Sequence, residues 1–135
     1  GFFCMRRSEI REHVFKLLFR VEFHDQDEMD EQISLFEDEL ASLREKDMTY
    51  IKDKCNSIFE KIDEIDSAVN EVSSGWKTSR MSKVDLSIIR LAVYEIKYEE
   101  EIPFKVSINE AVELAKKYGT DDSPSFVNGI LAKFA

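Results

Sequence analysis

The chain has 135 residues, 43% hydrophobic and 11% aromatic, and a formal net charge of −9. That length serves one domain with a real core, and four Gly and two Pro are too few for a many-turned β architecture, so an all-α fold is expected. Two cysteines far apart, Cys4 and Cys55, exclude a disulfide framework and a paired metal-ligand spacing and point to a reducing compartment, the cytosol; nothing approaches the ~18 consecutive apolar residues of a membrane span.

The opening Gly-Phe-Phe-Cys-Met is too short for a secretory signal, and residues 1–4 read as an added remnant ahead of a natural start at Met5. Ile10, Val14, Leu17, Leu18 and Val21, widened by Phe15 and Phe19, predict a helix over 8–23. Arg7 and Arg11 lie one turn apart on the flank of that stripe, so they border the core, whereas Glu9, Glu12, Lys16 and Arg20 take the opposite side. The acidic loop His24 to Asp30 begins like a calcium loop and then fails: Met29, Asp30 and Phe36 stand where a ligand, a glycine and a bidentate glutamate are needed. Met29, Ile33, Phe36, Leu40 and Leu43 predict a second helix over 30–43 with an acid-rich outer face. A third, over 49–61, carries Ile51, Cys55, Ile58, Phe59 and Ile62, which makes Cys55 a small hydrophobe rather than a nucleophile.

Ile65, Ala68, Val69 and Val72 continue a short fourth helix that stops at Ser73-Ser74-Gly75, where glycine can turn left-handed. Trp76 is expected to plug a gap between helices. The stretch from Ser82 to Tyr98 is apolar nearly all round, with Val84, Ile88, Leu91 and Glu95 on one row and Ile89, Val93 and Ile96 on the next, so it belongs in the middle of a bundle. Ser82 is its cap, with Asp85 in the first turn; its one polar row, Lys83, Ser87, Arg90 and Lys97, is expected to face water or an anionic ligand, and Glu95 needs an internal partner. After Pro103, Ser107 and Glu110 read as a capping box for a helix that Gly119 closes. Asp122-Ser123-Pro124 starts the last helix, in which Val127, Ile130, Leu131 and Phe134 face inward and Phe126 does not share their row.

The charge is unevenly placed. Residues 1–20 hold five Arg/Lys against two acids, residues 21–74 five against seventeen, and residues 75–135 nine against nine. A phosphate backbone therefore has the first helix and the last third open to it, with the acidic middle turned away. No Ser/His/Asp or Cys/His set, phosphate-cradling loop or isolated carboxylate pair suggests catalysis, and His13 has no second ligand at helical spacing, so neither metal nor cofactor is expected.

Two stretches, Val84-Asp85-Leu86-Ser87-Ile88-Ile89-Arg90-Leu91-Ala92-Val93-Tyr94-Glu95 and Ile102 to Gly119 with Ser123-x-x-Phe126-Val127-Asn128-Gly129-Ile130-Leu131, resemble the NusB family of bacterial transcription antitermination factors. The resemblance implies about seven helices in two packed subdomains and a non-catalytic role. It also implies binding of boxA-type single-stranded RNA in nascent ribosomal RNA transcripts, jointly with the NusE-type ribosomal protein, and through that an indirect link to the RNA polymerase elongation complex. By position it assigns RNA contact to Arg6, Arg7 and Arg11 and to an exposed aromatic at Phe126, with Asp122 bordering the RNA. Ser8, Glu9 and Ile10 interrupt the arginine run, which leaves fewer cations than the family's richest form carries. From the residues alone the arginines also fit a solvated helix start, Phe126 fits core packing and Asp122 a plain cap. Two other readings stay open: an RNA-binding domain detached from an RNA cytosine methyltransferase, and a homodimer, rather than a monomer, that hides its RNA surface.

Overall fold

The computed structural model describes residues 7–22, 29–39 and 45–135, and among these it holds seven α-helices and no strand. The chain divides into two compact units, Gly1–Ser57 and Ile58–Ala135, with the boundary inside the third helix. Cys4, Arg6, residues 24–28 of the acidic loop, Leu40 and Leu43 lie outside the described residues, whereas the loop's Met29 and Asp30 fall in the second helix.

In the amino-terminal unit, α1 runs Arg7–Glu22 and packs against α2, Met29–Glu39. The expected stripe is the buried one: Val14, Phe15, Leu17, Leu18 and Val21 are all inside. Helix α3, Glu45–Glu60, starts four residues earlier than its apolar pattern, because Glu45 and Asp47 suit the positive end of a helix while contributing nothing to its stripe. Lys52 reaches Glu37 at 2.9 Å and so ties α3 to α2. Cys55 is fully buried, and burial pushes its thiol up to about 12, which makes it the small hydrophobe expected.

The carboxy-terminal unit is built on α5, Lys83–Tyr98, which packs against α4 (Ile62–Val72), α6 (Phe104–Tyr118) and α7 (Ser123–Ala132), while α6 and α7 pack on each other. The Ser82 hydroxyl accepts the Asp85 amide at 3.1 Å, the cap read from the sequence. Leu86, Ile88, Ile89, Leu91, Ala92 and Val93 are buried over most of the circumference of the helix, each large aliphatic contributing about 1.5–3 kcal/mol. Its polar row departs from expectation. Ser87 is buried, and Arg90 is held by both carboxylate oxygens of Asp66 on α4, at 2.9 and 2.7 Å, so the middle of that row is an internal ion pair; only Lys83 and Lys97, at the ends, face water.

The capping box at Ser107 is also corrected. Pro103, at φ −58°, stands at the cap position itself, and its carbonyl accepts the Val106 and Ser107 amides, so α6 is already running at Phe104. The Ser107 hydroxyl is thereby released to donate to Glu95 Oε1 at 2.9 Å, in the buried interface of α5 and α6. This supplies the internal partner that Glu95 requires.

Candidate nucleic-acid interface

Of the cations assigned by position, Arg7 and Arg11 sit on α1. Arg7, in the first helical position, is exposed; Arg11, one turn later, is only 6% exposed. A one-turn step along a flank bordering the core carries the second guanidinium inward, so the two arginines are not equivalent. Arg6 lies outside the described residues.

Asp122 and Phe126 belong to the other unit, where the α6–α7 turn positions them. Gly119 ends α6 in extended backbone (φ −93°, ψ −167°), not in the left-handed region expected of a closing glycine. What the turn requires is the absence of a side chain: a Cβ there would collide with the Ser123 hydroxyl. Ser123, pressed into that space, accepts the Thr120 amide at 3.0 Å and is buried. The hydroxyl thus holds the turn together, and the Asp122 carboxylate makes no capping hydrogen bond and stays exposed at the start of α7. Pro124 stands in the first turn as anticipated. Phe126, half-buried, rises from that same turn.

Trp76 lies against Phe126, with ring centroids 5.8 Å apart and planes at 75°. It does not plug a gap: 55% of its surface is open to solvent. Gly75, at φ +80°, turns the chain sharply out of α4, and the Thr78 amide donates to Asn70 Oδ1 at 2.9 Å, which carries the intervening Trp76 outward. Hydrophobicity alone assigned the ring to the interior. The better signal was its setting, a lone aromatic after a Ser-Ser-Gly break with lysine and arginine close behind and few apolar residues at helical spacing.

Among the described residues no group of His, Cys, Asp or Glu is placed to hold a metal ion, and no helix is long and apolar enough to cross a membrane.

Residues 8–135 match the NusB family model. A transcription antitermination protein NusB of Agathobacter rectalis is 63% identical over 131 residues, covering 97% of this chain and all of that protein. Among solved structures, a NusB of T. maritima superposes with a TM-score of 0.86 at 35% identity, covering 98% of this chain and 92% of that one. A structure of antitermination factors NusB and NusE in complex with dsRNA has the same fold, with a TM-score of 0.81 at 23% identity, covering 95% of this chain and 94% of that one. The relatives are named as transcription antitermination proteins, and by sequence and by fold this chain belongs to the NusB family.

Proposed function

We propose that residues 1–135 act as one RNA-binding module: a cytoplasmic antitermination factor that binds boxA-type single-stranded RNA of nascent ribosomal transcripts together with a NusE-type ribosomal protein, and through that pair acts on the elongating polymerase. The observation that carries this reading is the family match over nearly the whole chain to proteins named for antitermination. Support for the partners comes from the fold shared with a NusB that is found with NusE and RNA.

The residues fit the chemistry. Single-stranded RNA is held by cations along its phosphates and by aromatic faces under its bases. Arg6 and Arg7 provide phosphate contact, Arg7 from the exposed start of α1 with Arg11 buried one turn on, and Phe126 offers a face for a base. Asp122, exposed beside it and free of capping duty, sets an edge to the site by repelling phosphate. So few cations give a shallow salt dependence, on the order of 0.7 per phosphate neutralised, and make affinity depend on the partner protein.

Fluorescence anisotropy of a labelled boxA-type RNA, with and without the NusE-type protein and across salt, tests this. Weak binding by the chain alone and much tighter binding by the pair is the expected result. Equal binding of a scrambled RNA under every condition defeats it.

A further inference from the structure

Residues 73–84, the connection from α4 to the start of α5, hold Lys77, Arg80 and Lys83 and no acid, in a chain whose net charge is −9. All three cations are exposed, and no acid pairs with Lys77 or Arg80 among the described residues. The large ring in the middle of this basic segment is Trp76, turned outward. The segment is also braced. Asn70 holds the Thr78 amide at 2.9 Å, Lys133 of α7 donates to the Val72 carbonyl at 2.8 Å, and Ser82 caps α5. Residues Thr78–Arg80 form a short 3-10 turn between these ties.

We propose that Trp76, with Lys77 and Arg80, extends the RNA surface beyond Phe126: one nucleobase stacks on Trp76 beside the nucleotide at Phe126, and the two cations take the adjoining phosphates. The inference rests on the RNA-binding function proposed above and adds a second stacking position to it. Two rings at 75° with centroids 5.8 Å apart make a corner, so a base lying on one ring meets the edge of the other. Stacking on a braced ring costs little ordering on the protein side, which favours this site over a mobile loop. The charge chooses the occupant. The cores of protein interfaces are depleted in lysine, whereas a strand of single-stranded RNA offers a base for the indole and a phosphate for each cation.

Trp76 is the chain's one tryptophan, so its emission reports directly on the site. The experiment titrates full-length protein with a boxA-type single-stranded RNA oligonucleotide, with the NusE-type partner absent and present, following tryptophan emission and RNA anisotropy together. Quenching that saturates with the same midpoint as the anisotropy is expected. Trp76→Ala should weaken binding by about 5- to 150-fold, the range of one lost stack, and Trp76→Phe should recover most of it. Lys77→Glu with Arg80→Glu should lower the salt slope by ~1.4, two phosphates' worth. If RNA binds and Phe126→Ala weakens it, while Trp76 emission and the affinity of Trp76→Ala stay at wild-type values, the surface ends at Phe126; this inference then falls and the proposed function stands. An emission change caused by the partner protein alone, with no further change on adding RNA, makes Trp76 a protein contact and also overturns it. No RNA binding even with the partner present removes the function, and the inference with it.

Discussion

Helix α5 and the connection that leads into it are neighbours in sequence and opposite in physical economy. Along α5 two charged groups that turn inward have counterparts: Arg90 has Asp66 and Glu95 has Ser107. In the connection, Trp76, Lys77 and Arg80 all face water, although an indole is among the largest apolar groups a core can use. Satisfied polar groups inside a helix bundle fix one packing arrangement. An apolar ring left mostly outside, set against Phe126 and followed in sequence by lysine and arginine, adds little to the fold and is suited to a ligand. The contrast separates the part of this unit that folds from the part that is available for recognition.

The largest effect should come from the inside. Ile89→Ala removes a fully buried side chain from α5 and should cost about 2–5 kcal/mol in urea unfolding followed by circular dichroism. Trp76→Ala, which gives up only the edge contact with Phe126 and a half-exposed ring, should cost about 0.5–1.5 kcal/mol. A Trp76→Ala loss comparable to that of Ile89→Ala would make the ring structural and erase the contrast. Next in size is Ser107→Ala, which takes a buried hydroxyl donor from the Glu95 carboxyl and should cost about 1.5–3 kcal/mol, with RNA affinity unchanged once the protein is folded.

Much of this was readable in the sequence, and the failures share a cause. The all-α class, the buried stripe of α1, the central place of α5, the Ser82 cap and the inert Cys55 all follow from periodicity and local capping chemistry, which act within one or two turns. The polar row of α5 was misread because Arg90 pairs with Asp66, a residue 24 positions away, and spacing along one helix carries no record of a partner on another. Ser107 was misread for the same reason: its hydroxyl had a local use as a cap and a distant one at Glu95, and Pro103 made the local use unnecessary. Gly119 is required by a close approach to Ser123, not by its backbone angles. Of the candidate interface, Phe126 stood out by missing the apolar row of α7, but its neighbour Trp76 was assigned to the interior, since hydrophobicity alone does not say on which side of a surface a ring will lie.

On α1 the same division between inside and outside gives smaller effects. Arg7→Glu, at an exposed position, should leave stability nearly unchanged and lower the RNA salt slope by about 0.7, whereas Arg11→Glu places an acid at a buried position and should destabilise the fold before RNA is added. Equal behaviour of the two variants in urea would mean that burial does not distinguish them.

His13, on the same helix, gives the smallest effect and the one with a definite sign. Burial, and then the nearby charge of Lys16, hold its pKa below the ordinary 6.5, so as pH falls the unfolded chain takes up the proton before the folded one does. Stability arising from that difference is complete above about pH 6.5 and is lost as pH falls below it toward the folded-state pKa. His13→Gln removes the titrating group and keeps a polar side chain of similar reach. The urea midpoint of wild type relative to His13→Gln should therefore drop between about pH 7.5 and about pH 5.5. A constant difference between the two proteins across that range would show that the imidazole protonates as easily in the fold as out of it, and that this part of α1 behaves as surface.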